Sequence, residues 1–175
     1  LATSKLGAIL VNINPSYRGH ELQYALQQSS CAYVVIAPQF KTSDYTAMLY
    51  ELAPELGGAV PGQLAAARLP DLRVVVRLGS EPAPGMLVWT DLLARGDRID
   101  DGQLAERQGQ LQFDEPINIQ YTSGTTGYPK GATLSHHNIL NNGYFVAELM
   151  NFTERDRLII PVPLYHCFGM VMGNL

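Results

Sequence analysis

Two hydrophobic periods take turns along this chain. Ala8 to Ile13, AILVNI, is a short apolar run closed by Asn14-Pro15, and it predicts a buried strand. Leu22, Ala25, Leu26 and Ser29 then fall at helical spacing with Glu21, Gln23, Gln27 and Gln28 opposite, which predicts a helix with one buried face. Cys31 to Ala37 is apolar again and Pro38 ends it. Strand, helix and strand in so short a stretch predict a βαβ unit with parallel strands and a right-handed crossover. Lys41 to Leu56 reads as a helix with Ser43 as its cap and Tyr45, Met48, Leu49 and Leu52 on one face. From Ala53 to Pro70 the pattern dissolves into Pro, Gly and Ala, the expected signature of a surface excursion. Leu72 to Leu78 returns to strand, Ser80 to Gly85 is a loop, and Asp91 to Ala94 and Asp101 to Gln108 are short helical pieces.

The segment Pro116 to Gly131, PINIQYTSGTTGYPKG, organises the rest. Ile117, Ile119 and Tyr121 alternate with Asn118, Gln120 and Thr122, the period of a strand with one apolar face. Ser123 to Gly131 then contains no aliphatic side chain, so it is expected to be a loop at the end of that strand. Ala132 to Leu134 suggests a brief strand, and Ser135 a cap for a helix from His136 to about Met150. Ile139, Leu140, Tyr144, Phe145, Val146, Leu149 and Met150 occupy most of that helix's circumference, which predicts that it is largely buried. Leu158 to Val162 reads as a further strand, leading into PLYHCFG, Pro163 to Gly169. The alternation of strands and helices defines the class as α/β, a mainly parallel sheet flanked by helices, with ligand expected outside the carboxyl ends of strands.

Composition narrows the function classes. With 175 residues, 46% of them hydrophobic and 16% charged, the chain belongs with globular proteins. A formal net charge of −4 argues against a nucleic-acid partner, which selects a basic face. No apolar run reaches the roughly 18 residues of a membrane-spanning helix. Two cysteines, Cys31 and Cys167, are too few for a disulfide framework and fit a reducing compartment, the cytoplasm or, in a eukaryote, the mitochondrial matrix. A homo-oligomer stays open. Leu1 to Leu6 reads as the tail of a helix closed by Gly7, no Met begins the chain, and CFGMVMGNL stops in an apolar run; a piece of a longer protein is expected.

The chemistry of Ser123 to Lys130 points to phosphate. Gly124 and Gly127 permit backbone angles that turn successive N–H groups toward one point, Ser123, Thr125 and Thr126 add hydroxyl donors, and Lys130 adds a mobile ammonium. Pro129 fixes its own φ and restricts Tyr128, which limits the directions in which Lys130 leaves the loop. The Walker A pattern fails, because Tyr128 and Pro129 follow Gly127, and Gly131 follows Lys130.

YTSGTTGYPKG resembles the signature loop of the AMP-forming adenylating enzymes, the superfamily of acyl-CoA synthetases, aryl-CoA ligases, luciferases and peptide-synthetase adenylation domains. GAILVNINPSYRGHELQYALQQSSCAYVVI is similar to the stretch that precedes this loop in acyl-CoA synthetases, and the aromatic-His-x-x-Gly of PLYHCFG to a segment that follows it. The resemblance implies a fragment, residues 1–175, of a large N-terminal AMP-binding domain, nearest to the medium-chain fatty acyl-CoA synthetases. It implies that a carboxylate attacks the α-phosphate of ATP, that pyrophosphate leaves, and that the acyl group then passes to coenzyme A. Ser123, Gly124, Thr125, Thr126, Gly127, Tyr128, Pro129 and Lys130 would hold the leaving phosphates. The Thr122 hydroxyl would also ligate Mg2+, and His166 would stand between the phosphates and the acyl pocket, with Tyr165 and Phe168 shaping access. Relatives also use a later Tyr-Gly-x-Thr-Glu segment, an Asp for the ribose and a Lys on a C-terminal lid. None occurs here, so the piece alone is expected not to turn over.

Other readings attach to single features. A neighbouring aryl-CoA ligase or adenylation domain, or a non-catalytic nucleotide-binding module, is the alternative to a fatty acyl-CoA synthetase. A kinase or GTPase needs loops that are absent. Cys167 beside His166 is expected to be a buried structural thiol rather than a nucleophile. His20, His136 and His137 read as surface residues, and Arg95-Gly96-Asp97 as a chance tripeptide.

Overall fold

In this computed structural model residues 2–122 and 128–172 are described. Chain order runs α1 (Ala2–Leu6), β1 (Leu10–Asn12), α2 (Gly19–Gln28), β2 (Tyr33–Ile36), β3 (Gln39–Phe40), β4 (Ser43–Asp44), α3 (Tyr45–Leu52), a 3-10 turn (Pro54–Gly58), β5 (Val74–Arg77), β6 (Leu87–Val88), α4 (Trp89–Gly96), α5 (Asp101–Gly109), β7 (Pro116–Thr122), β8 (Lys130–Ser135), α6 (His136–Leu149) and α7 (Cys167–Met172). They gather in two compact units, Pro15–Asp100 and the remainder, Leu1–Asn14 with Asp101–Leu175. The fold is mixed α/β, with parallel strand pairs flanked by helices, as the alternation of periods predicts.

The unit 15–100 owns most of the buried apolar side chains. β2, β5 and β6 form a parallel sheet, with Tyr33 opposite Val74 and Val76 opposite Leu87. Leu22, Ala25 and Leu26 of α2 are buried, as the helical spacing predicts, and so are Leu49 and Leu52 of α3. The cap of α3 differs from the expectation: Asp44 accepts from the backbone N–H of Ala47 at 2.9 Å, while Ser43 is buried and bonded to Arg18. The supposed surface excursion is also overturned. Ala53, Leu56, Leu64, Ala66 and Leu69 are all buried, because a winding segment can still insert single aliphatic side chains that no period reveals. Arg95 and Gly96 close α4, with Asp97 at its C-cap, so the Arg-Gly-Asp tripeptide lies at a helix end.

In the other unit, β1 pairs parallel with β7, and β7 pairs antiparallel with β8, in the order β1-β7-β8. The predicted βαβ unit therefore does not form: β1 and β2 are strands, but they belong to different sheets. Hydrophobic period identifies a strand without naming its partner, and here the partner of β1 is chosen across 108 residues by side-chain amides as well as backbone bonds. α1 ends at Gly7, whose φ of 72° supplies the left-handed turn expected there.

Two further expectations fail in this unit. Residues 158–162 adopt no strand, and Pro161 and Pro163, which cannot donate to a ladder, supply the reason. α6 starts at the predicted cap, Ser135, whose Oγ accepts from Asn138 N at 3.3 Å, but it is not buried. Leu149 is 83% exposed, and Leu140, Tyr144, Phe145 and Met150 are exposed as well. Nothing among the described residues covers that face.

Candidate nucleotide site

The site is built on β7. The β7–β8 pairing continues to Thr122 opposite Lys130, so the last residue of β7 and the first residue of β8 are held side by side. The Oγ1 of Thr122 donates to the carbonyl oxygen of Lys130 at 3.4 Å, and both residues are exposed. Gly131 lies opposite Tyr121, and a Cβ there would approach Ile119 Cγ2 to 2.9 Å, so a small residue lets the two strands close up beside the lysine. Tyr128 is exposed and Pro129 half-buried. Ser123, Gly124, Thr125, Thr126 and Gly127, the centre of the expected phosphate loop, lie outside the described residues.

The expected single apolar face of β7 is also corrected. Asn118 and Gln120, on the face that the alternation marks as polar, are only 2% and 3% exposed, while Ile119 and Tyr121 are half-buried. Burial of two amides is tolerated because they are bonded. Asn118 Nδ2 donates to the Leu10 carbonyl at 2.8 Å, Asn12 Nδ2 donates to Gln120 Oε1 at 3.3 Å, and Gln120 Nε2 donates to the carbonyl oxygen of Tyr165. Asn118 Oδ1 is buried without a partner among the described residues. These amides were missed by a reading that used polarity alone. The available signal was three carboxamides, Asn12, Asn118 and Gln120, inside runs that are otherwise aliphatic or aromatic.

Gln120 thereby brings the second motif to the first, since Tyr165 and His166 are tied to the strand that ends at Thr122. His166 is exposed and precedes α7. Its Nδ1 accepts from the backbone N–H of Phe168 at 3.3 Å, in the manner of an N-cap, and its own N–H donates to Pro163 O at 3.0 Å. With Nδ1 used as acceptor, the neutral ring carries its proton on Nε2. Gly169 is buried against the backbone of Val162 and Pro163. Phe168 is exposed and Tyr165 half-buried.

Cys167 is not the buried thiol expected. It is exposed, with Sγ 3.8 Å from His166 Nδ1, because the turn that frees His166 frees its neighbour too. Cys31 is half-buried, and desolvation raises its pKa against the smaller opposing effect of a backbone hydrogen bond at Tyr33. Brief alkylation at neutral pH followed by peptide mass spectrometry is therefore expected to label Cys167 well before Cys31, since the thiolate is the reacting form. Equal labelling would contradict the placement of Cys167.

The three other histidines lie as the sequence suggests or nearly so. His20 is exposed on α2, and His137 is exposed and tilted against Phe113 with ring centroids 5.6 Å apart. His136 is half-buried and lines a groove of about 360 Å³ with Lys5, Gln108, Leu111 and Phe113, which the sequence did not suggest. Among the described residues no three His, Cys, Asp or Glu side chains gather as a metal site. No helix among them is long and apolar enough to cross a membrane.

Strand, hairpin and histidine turn belong to a mixed α/β unit, and similarity to known proteins gives its family. The chain belongs to the AMP-binding enzyme family, whose model matches residues 1–175. It is 47% identical, over 99% of its length, to the mitochondrial medium-chain acyl-CoA ligase ACSF2 of Danio rerio, and covers 29% of that protein. It is 44% identical, also over 99% of its length, to YngI of Bacillus subtilis, of which it covers 32%. The chain thus spans about a third of these relatives. A red-emitting luciferase of Phrixothrix hirtus shares the fold with a TM-score of 0.64 at 19% identity, over 98% of this chain and 30% of that one.

Proposed function

We propose that the protein of which this chain is part is an AMP-forming fatty acyl-CoA synthetase, and that residues 1–175 are a portion of its large N-terminal AMP-binding domain. The observation that carries this reading is the junction on β7: Thr122 and Lys130 face one another at the mouth of the signature loop, and the same strand binds the peptide before His166. Family membership and the names of the relatives support it, the zebrafish protein being a medium-chain acyl-CoA ligase. The bare apolar face of α6 supports a larger domain around this piece.

In this reading the fatty-acid carboxylate attacks the α-phosphorus of ATP, the bond to the β-phosphate oxygen breaks, and pyrophosphate leaves with its electrons. Ser123, Gly124, Thr125, Thr126 and Gly127 hold the leaving phosphates, Tyr128 and Pro129 aim the end of the loop, and the Lys130 ammonium offsets the charge that develops there. The exposed hydroxyl of Thr122 suits one oxygen ligand of Mg2+, an ion that keeps most of its other positions for water and phosphate and would supply further charge neutralisation. His166 presents an Nε2–H donor rather than a base. None is needed to ionise the acid, because a carboxylic acid is already a carboxylate at neutral pH. Coenzyme A thiolate then takes the acyl group and AMP departs. Cytoplasm or mitochondrial matrix fits such a reaction, the zebrafish relative being mitochondrial by name.

The test is fatty-acid-dependent exchange of labelled pyrophosphate into ATP by the full-length protein. Exchange with a medium-chain acid and none without acid is the expected result; exchange driven by aryl or amino acids instead, or none with any acid, would refute the reading. The isolated 175-residue chain is expected to show no acyl-CoA formation.

A further inference from the structure

We propose that Gln120 is a positioning residue for His166, a role that rests on the function proposed above and adds a residue to it. Both ends of the Gln120 carboxamide are engaged: Oε1 accepts from Asn12 Nδ2 at 3.3 Å and Nε2 donates to the Tyr165 carbonyl. That carbonyl belongs to the peptide unit that ends in the His166 nitrogen, and the His166 N–H donates to Pro163 O at 3.0 Å. Both polar atoms of the Tyr165–His166 peptide are therefore fixed, one of them by a side chain two residues before Thr122. Asn12 decides which way round the amide sits, since it stands directly opposite Gln120 in the β1–β7 register and offers a donor.

The geometry makes this side chain a direct tie between the strand that ends at Thr122 and the turn that carries His166. Gln120 is 3% exposed, so water cannot readily replace its N–H if the amide is lost. Release of the Tyr165 carbonyl removes the bond that ties the His166 peptide to β7; the hydrogen bonds left to Pro163, Phe168 and Met170 are local and shape the turn, and α7 keeps its packing through the buried Val171. Misplacement by an ångström is enough to cost a reacting centre much of its rate.

A purely structural role and a positioning role make different predictions. In the full-length protein, well below its melting temperature, Gln120→Met is expected to lower kcat for pyrophosphate exchange roughly 10- to 100-fold, with KM for ATP little changed. In a His166→Ala background the same substitution is expected to change kcat by less than about twofold, because residues acting as one unit are not additive. An equal fold-loss in both backgrounds overturns the proposal, as does wild-type kcat in folded Gln120→Met or in His166→Ala. Should Gln120→Met not fold, the isosteric Gln120→Glu, which cannot donate when ionised, takes its place; failure of both to fold also overturns it, since the bond would then hold the unit together rather than aim the imidazole.

Acylation by diethyl pyrocarbonate gives a readout that does not need the reaction. Gln120→Met is expected to alter the acylation rate of His166 and leave those of His20 and His137 as they were. An unaltered His166 rate overturns the proposal, whereas a wild-type protein without exchange activity refutes the proposed function and leaves this measurement to decide the coupling.

Discussion

Lys130→Ala in the full-length protein is expected to slow pyrophosphate exchange by about 100-fold or more, the scale lost when a preorganised charge is removed from a developing anion. Stability should hardly move, within roughly 0.5 kcal/mol, because the side chain is exposed and β8 keeps every backbone bond it had. The placement of the residue separates these two effects. Its backbone is the terminal rung of the hairpin and the residue is exposed, so the strand fixes where the charge starts without burying it. Lys130→Arg, which preserves charge but not the compact shape of the ammonium, should fall between the two. Exchange by Lys130→Ala within about twofold of wild type, at a melting temperature showing the protein folded, would remove Lys130 from the site.

Gly169→Ala is expected to cost both stability and rate. A Cβ at this position would lie 2.6 Å from Pro163 O, 3.0 Å from Val162 O and 3.1 Å from Pro163 C. All three are backbone atoms, which cannot swing aside as the end of a side chain can. The constraint is close approach, so even the smallest added group must lift α7 away from residues 162–163. Overpacking of this kind costs about 1–3 kcal/mol. Phe168 N, which bonds the His166 ring, would move with the helix, and a roughly 10- to 100-fold fall in kcat should follow. Thermal melting and exchange kinetics on the same preparation check both parts; an alanine enzyme with unchanged melting and unchanged kcat would mean that α7 does not rest on that backbone.

Local signals in the sequence were read correctly where the competing forces were local. The cap at Ser135, the glycine stop after α1 and the buried stripe of α2 depend on neighbours a few residues away, and all three appear as expected. Partner choice was not legible in this way. β1 and β2 look alike as apolar runs, yet one finds β7 and the other β5, a decision made by long-range pairing. The burial of α6 was misjudged for a related reason: an all-round apolar helix states a demand for cover, while the cover itself must come from other residues. In the site, the glycine, hydroxyl and lysine pattern points to phosphate chemistry as an expectation, and its centre, residues 123–127, lies outside the described residues. Gln120 carries no such signal, because a carboxamide reveals whether it is surface or structure only when its acceptor, here the Tyr165 carbonyl 45 residues on, is in place.

The pairing of Thr122 with Lys130 has a thermodynamic consequence for affinity. Seven residues, 123–129, connect these two positions, and the ladder on which both ends are fastened is already formed when the sheet folds. Under the proposed function, bringing the ends of such a segment together is a loss of chain freedom charged to folding rather than to nucleotide capture. A loop tethered at only one end would have to surrender that freedom each time ATP arrived, and would bind the more weakly for it.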